Sequence, residues 1–274
     1  MRRTTLCVLT LIAVASLTGC ASPSKVARSP AQNRATYLGI SAAHPTGAPA
    51  ISGDGLVAAY DMSTLTGDGA LRDFATGSHH GRVVGTTSVQ GLWGGAKRFE
   101  RPTDRVHLPS AAEFAIDGPL SIAVWFRLNA LGLHQHVIAC DDKFALWLTG
   151  SDRLRFVDTH GGGVMMKEPL TSGRWYSVAA VFSGTRGDRL TEGNIGLYID
   201  GTRVAADLIG QPRDRPEWNP TRLYENDACS IGFESHQGVA DHQVLQFEGE
   251  IDEVLVFNRP LTVAEIKVHA SSSR

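Results

Sequence analysis

The chain has 274 residues, with 26 Lys and Arg set against 28 Asp and Glu, a formal net charge of −2. The two signs are interspersed along the sequence, which argues against nucleic acid or an anionic lipid surface as the partner of the folded part. Beyond one short apolar run at the start, no segment approaches the roughly 20 apolar residues that a membrane-spanning helix needs.

Arg2 and Arg3 begin the chain with positive charge, and Leu6 to Leu17 follow without a charged residue. A run of about a dozen residues is too short for a bilayer and suits the apolar segment of an export signal, expected over residues 1–19. Next comes Leu17-Thr18-Gly19-Cys20: an apolar residue, two small ones and a cysteine. This resembles the lipobox of bacterial lipoproteins; the alternative is an ordinary signal with a chance cysteine. The resemblance implies that the Cys20 thiol takes a diacylglyceryl group and becomes the mature N-terminus. Several acyl chains then hold the protein to membrane, which one chain does only marginally. Ala21 differs from the aspartate that in many Gram-negative lipoproteins signals inner-membrane retention, so an outer-membrane or cell-surface position is expected. Residues 20–53 are rich in Ala, Ser, Pro and Gly without apolar periodicity, and read as a disordered tether spanning roughly 30 Å on average.

Of four cysteines, Cys7 leaves with the signal and Cys20 carries lipid, so Cys140 and Cys229 remain. An exported compartment lets disulfides form and persist, and a bond between these two is expected. Two buried free thiols are the alternative. Neither belongs to a CxxC pair, so redox or zinc chemistry is not indicated.

Between Gly55 and Phe257 short stretches of period two recur, separated by Gly, Pro, Asp and Asn, which is the pattern of an all-β chain. In Leu120-Ser-Ile-Ala-Val-Trp-Phe-Arg-Leu128 the residues Leu120, Ile122, Val124, Phe126 and Leu128 share one face, with Trp125 and Arg127 opposite. Lys143 to Thr149 repeats the device, with Phe144, Leu146 and Leu148 inward and Trp147 outward. Further strands are expected over Leu56–Tyr60, Arg105–Leu108, His136–Cys140, Leu154–Val157, Tyr176–Phe182, Ile195–Ile199, Ser230–Phe233 and Ile251–Phe257. Asp200-Gly201 is a tight hairpin turn, because both of its central residues need positive φ. Thr262-Val-Ala-Glu265 reads as a capping box opening one short helix. More than ten short strands without an internal repeat imply two packed antiparallel sheets in a jelly roll.

Particular segments carry a family resemblance. Gly55-Leu-Val-Ala-Ala-Tyr-Asp61, Asp73-Phe-Ala-Thr-Gly77 with His80-Gly81, Gly173-Arg-Trp-Tyr-Ser-Val-Ala179 and Leu197-Tyr-Ile-Asp-Gly201 look like LamG-like, concanavalin A-like jelly-roll domains. The ending Phe247-Glu-Gly-Glu-Ile-Asp-Glu-Val-Leu-Val-Phe-Asn-Arg-Pro-Leu-Thr262 is the most specific piece. The resemblance spans residues 54–270 in order and implies one such domain there. The family hosts lectins and glycosidases alike, so fold alone does not choose between them.

Glu250-Ile-Asp252-Glu253 is similar to the acid cluster of laminarinase-type enzymes, which need carboxylates that bracket the sugar. On a regular strand the third position is Val254, on a bulged one Leu255, and Glu253 points to the opposite face. No catalytic pair is therefore assigned, and no nucleophile elbow appears. In related domains the aspartate matching Asp252 holds a structural calcium with backbone carbonyls, so the resemblance implies calcium there, with Asp61 as a second contributor and Asp73 a weaker one. The alternative is an Asp252 that only accepts backbone hydrogen bonds. His134 and His136 would share a strand face and His79-His80 precede a glycine, but none stands at zinc spacing and a solvated reading is preferred to a metal; Asp141-Asp142 reads as a turn. Trp125 and Trp147 face away from the predicted core rows, with Arg127 beside the first; indole faces pack on sugar rings and a guanidinium donates to hydroxyls or carboxylates. The other reading is that the tryptophans pad the sheets. Trp175 is left in the core, where the family uses it. The leading expectation is a membrane-anchored module binding a polysaccharide or glycoconjugate, or serving adhesion. The rivals are a glycosidase or lyase with loop carboxylates, and an envelope interaction part with no small ligand.

Overall fold

Alternation between Leu56 and Phe257 places one apolar row of each longer strand on a shared core. The computed structural model describes residues 40–41 and 51–271, save 93, 110–113, 115, 141–142, 212, 214, 221–228 and 235–245. The export signal, Cys20, most of the tether and the Asp141-Asp142 turn lie outside the described residues. In chain order the strands are β1 (Ile40–Ser41), β2 (Ile51–Ser52), β3 (Leu56–Tyr60), β4 (Arg82–Val84), β5 (Thr87–Val89), β6 (Ala96–Phe99), β7 (Arg105–Leu108), β8 (Leu120–Leu128) and β9 (Gln135–Cys140). There follow β10 (Phe144–Leu148), β11 (Leu154–Asp158), β12 (Gly163–Met166), β13 (Trp175–Phe182), β14 (Ile195–Ile199), β15 (Thr202–Arg203), β16 (Ala206–Ile209), β17 (Cys229–Ile231) and β18 (Gly249–Phe257). The helix α1 (Val263–Ser271) comes last.

Two sheets of eight strands carry the fold, as the jelly-roll reading expects. The first runs β15-β14-β13-β8-β18-β6-β5, with β3 also paired to β18; the second runs β16-β12-β11-β10-β9-β17-β7-β4. Their pairings are antiparallel, and the short β1 and β2 form a separate parallel pair. Leu120, Ile122, Val124, Phe126 and Leu128 from the first sheet meet Ile138, Phe144, Leu146, Leu148 and Phe156 from the second, all buried. Trp218, on a loop outside any strand, is fully buried there and stacks on Phe182 at 4.5 Å. Cys140 and Cys229 face each other across β9 and β17 and are bonded, closing a sequence separation of 89.

Local signals are met in detail. Asp200 and Gly201 have φ of 51° and 79° and join β14 to β15. The capping box closes as written: the Thr262 N–H donates to Glu265 Oε2 at 2.9 Å, and the Glu265 N–H donates to Thr262 Oγ1 at 3.3 Å. The small side chains Ala59, Ala123 and Ala179 let α1 settle on the outer face of the first sheet, where Leu261 and Ile266 cover Leu255 and Phe257.

The tether expected to reach residue 53 gives way to folded chain earlier. Ile51 is fully buried, and the Ser52 N–H donates to Glu265 Oε1 at 3.0 Å. Arg259 returns the contact, donating to the Ser52 carbonyl at 2.8 Å and to Glu265 Oε1 at 2.6 Å. The sequence around 51 lacks periodicity, so its burial, set by partners more than 200 residues away, was not visible from local pattern.

Candidate functional site

Each sheet has an outer face, and the two expected tryptophans lie on different ones. Trp147 projects from β10 on the outer face of the second sheet, while Trp125 projects from β8 on the outer face of the first. Both point away from the core as expected, yet they stand on opposite sides of the sandwich and form no common platform. Trp125 is 5% exposed, lies opposite Ser177 and Asp252, and has the His269 ring of α1 at 5.9 Å. Burial holds His269 down to about 4, so it sits neutral beneath the helix. The edge of Trp125 borders a groove of about 650 Å³ with Arg174, Trp175, Asp200 and Lys267.

Arg127 is committed to an ion pair. Its Nε donates to Glu250 Oε2 at 2.5 Å, and Arg98 reaches Oε1 of the same carboxylate at 2.9 Å. Burial pushes Glu250 up, but the two guanidiniums, Arg127 foremost, outweigh it and hold the group below the usual carboxylate range. The Arg127 guanidinium also lies 5.4 Å from the centre of Trp175. Trp175 is half-buried on this outer face, opposite Arg127, and not in the core to which the family comparison of motifs assigned it.

The acid strand departs from regular alternation. Asp252 pairs with Trp125 and Val254 with the adjacent Val124, so Glu253 is a bulge residue, with φ of 46°. The bulge puts Val254 and Val256 in the core and leaves Glu250, Asp252, Leu255 and Phe257 on the outer side. The expectation that Val254 continues the Asp252 face fails for that reason. Glu253 itself is buried, and burial, then the charges of Asp252 and Asp61, push it well above the usual carboxylate range. Where a bulged strand would need a third carboxylate stands Leu255, fully buried under α1.

Each of the three expected calcium ligands accepts hydrogen bonds from the chain. Asp73 accepts from the Ala59, Ala75, Gly77 and His79 amides and from the Thr76 hydroxyl, fixing the 73–79 loop. Asp61 accepts from Ser63, Thr64 N–H and Thr64 Oγ1, a local turn. Asp252 accepts from the Leu92 amide at 2.9 Å. Among the described residues, no three His, Cys, Asp or Glu side chains converge. These bonds are those the hydrogen-bonding alternative expects, while a calcium held by Asp252 with backbone carbonyls needs no such cluster and stands as a proposal.

The groove with the most ligand-like chemistry lies around Trp147. Core-facing Phe144, Leu146 and Leu148 turn Ala145 and Trp147 outward, and the hairpin partner β11 sets Arg155 opposite Trp147 and Val157 opposite Ala145. On the other side β9 supplies Ala139 and, past a register shift, His136. A row Arg155–Trp147–His136 thus crosses three strands beside a floor of small side chains. The cavity measures about 450 Å³ and is bordered by His134, Asp158, Thr159 and Glu234, within the size range of small-molecule sites. The Arg155 guanidinium lies 4.6 Å from the indole centre, and the exposed His134 ring stacks on the indole at 5.5 Å and 27°. The His136 ring is 5.4 Å away, and its Nδ1 lies 3.5 Å from the Glu234 carboxylate. Asp158, pushed up by burial, anchors the bordering loop by accepting from the His160, Gly162 and Asn219 amides.

The fold places the chain in a family. A laminin G-type model, described as the concanavalin A-like lectin/glucanases superfamily, matches residues 100–267, and the chain belongs to it. Among solved structures, Trypanosoma rangeli sialidase in complex with 2,3-difluoro-KDN is similar over 88% of this chain and 38% of that one, at 13% identity and a TM-score of 0.60. The binding domain of Paraclostridial Mosquitocidal Protein 1 matches over 80% of this chain and 52% of its own, at 16% identity and 0.56. Domain 4 of AbnA, a GH43 extracellular arabinanase from Geobacillus stearothermophilus solved with arabinotriose, matches over 79% of this chain and 98% of its own, at 17% identity and 0.54. The chain therefore spans well under two thirds of the sialidase and of the mosquitocidal fragment, and at these identities the likeness is one of fold. No curated protein sequence matches the chain.

Proposed function

We propose that this protein is an exported, lipid-anchored carbohydrate-binding module whose site is the Trp147 groove. The observation that carries the reading is the composition of that groove: a half-buried indole, a floor of alanines, and a rim of Arg155, His134, His136 and Glu234. A sugar ring offers an apolar face and a girdle of hydroxyls, and this pairing of aromatic surface with polar rim suits both. Family membership and a neighbour solved with arabinotriose support the same class of ligand. The disulfide supports an oxidising compartment, and the Leu17–Cys20 motif supports anchoring.

The test uses the full chain in detergent on a glycan array, followed by titration of the hits. Trp147→Ala should weaken binding by about 1–3 kcal/mol, as loss of a large contact surface implies, while Trp125→Ala leaves it unaltered. Reducing ends are followed in the same tubes, and their sustained release would replace the binding role with an enzymatic one. Equal affinity of wild type and Trp147→Ala would remove the site from this face. Anchoring is read separately: a fatty-acid analogue should label the wild type and not Cys20→Ala, and equal labelling of both would end that part.

A further inference from the structure

We infer that the Trp147 groove takes a carboxylate-bearing saccharide, with Arg155 as the residue that binds the carboxylate. The inference rests on the carbohydrate-binding reading and adds the charge class of the ligand. Its ground is an arginine without a counterion. Other arginines meet carboxylates: Arg127 and Arg98 on Glu250, Arg259 on Glu265, Arg174 on Asp200, Arg101 on Asp104. Arg105 and Arg153 are partly buried without an ion pair among the described residues, but of the described arginines Arg155 alone has a buried side-chain nitrogen with no acceptor. Arg155 has no ion pair or hydrogen bond among the described residues, and its buried Nε lacks a partner. Burial, then the nearby Arg153 charge, lowers its pKa, and no carboxylate offsets them. Withdrawing a guanidinium from water without an acceptor is costly, and the indole beneath it returns only part of that cost.

The acids at the groove do not supply the missing acceptor. Asp158 is occupied by three backbone amides, and Glu234 faces His136. A second orphan donor borders the same space: the buried Thr159 hydroxyl has no partner either. An incoming carboxylate meets the fork of Arg155, whose planar geometry matches two carboxylate oxygens in a way a neutral hydroxyl cannot. The sugar ring that carries it then lies over Ala145 and Ala139 against Trp147. Both uronic acids and sialic acids present such a group, and the probes must separate them.

The experiment titrates the full chain in detergent with trigalacturonate and with sialyllactose, each beside its methyl ester, and with lactose and arabinotriose as neutral sugars. At least one free acid should bind about tenfold or more tighter than its own ester, the difference expected of a charge-assisted pair. Which acid does so names the source. Arg155→Gln should lower that acid to the affinity of its ester, and Arg155→Lys should restore only part of the preference because it keeps the charge without the fork. The comparison of acid with ester in the wild type needs no variant, so a misfolded mutant does not spoil it. Equal binding of acids and esters, or a preference that survives Arg155→Gln, overturns the inference while leaving a neutral-sugar site standing. Absence of binding to every probe and to the glycan array overturns both the inference and the reading beneath it.

Discussion

Glu265→Gln removes one charge where the two ends of the sandwich meet. Burial opposes ionisation of Glu265, but hydrogen bonds from Arg259, from Thr262 and from the Ser52 amide outweigh it and bring the carboxyl from 4.5 down to about 2. A depressed carboxyl contributes stability that is fully present above its unfolded value and is lost as pH falls through the folded one. The interval from 4.5 to about 2, converted at about 1.36 kcal/mol per pH unit, sets a ceiling of about 3.4 kcal/mol. The partner Arg259 is 22% exposed, and solvent screening lowers the expected contribution to about 2 kcal/mol. Glutamine keeps the size of the side chain but offers one acceptor oxygen, so it can accept from Thr262 or from Ser52 and not from both, much as the protonated acid would. Urea unfolding of both chains from pH 7 to pH 2 should show the wild type ahead by about 2 kcal/mol at neutral pH. The gap should narrow between pH 4.5 and pH 2 to a few tenths of a kcal/mol. A gap that stays constant with pH refutes the charge argument and assigns the loss to disturbed packing at the cap.

Replacing Cys140 and Cys229 together by serine should cost up to about 4–5 kcal/mol on the chain-entropy account of a loop this long, read from urea midpoints. Thiol titration of the unfolded, unreduced chain should find neither cysteine of the pair free. Trp218→Ala should cost about 3–5 kcal/mol, because a fully buried ring stacked on Phe182 leaves a cavity the core cannot refill. Asp73→Ala strips the acceptor from five donors and should cost about 3 kcal/mol or more. Melting curves with and without calcium chelator should give the same cost, whereas a chelator effect abolished by Asp73→Ala would restore a metal at this carboxylate.

Signals carried within a few residues were legible in the sequence. The Asp200-Gly201 turn, the Thr262–Glu265 box and the inward rows of β8 and β10 depend on local backbone preferences, and each stands where its pattern placed it. The outward direction of Trp125 and Trp147 was equally local, but which sheet each strand joins depends on pairing across the chain. Period two cannot say whether two outward faces coincide. The bulge at Glu253 is likewise invisible locally, since one extra residue shifts every later side chain without altering composition. Arg155 could have been found by folding the hairpin: Trp147 and Arg155 each lie four residues from Ser151, the centre of the turn, and so fall opposite one another. Its missing counterion could not, because pairing of charges is a property of the assembled surface.

The seam at Ser52, Arg259 and Glu265 also decides how a pull would travel. A force applied through the chain ahead of Ile51 reaches first the Ser52 amide, the Ser52 carbonyl and the Asp54 carbonyl, all bonded to the C-terminal segment. Those bonds must part before β3 can be unzipped from β18, so the last residues of the domain brace the first against tension. The seam lies on the side of the first sheet, under the helix, while Trp147 sits on the second. A pull on that segment would therefore load the first sheet before the sheet that carries the groove.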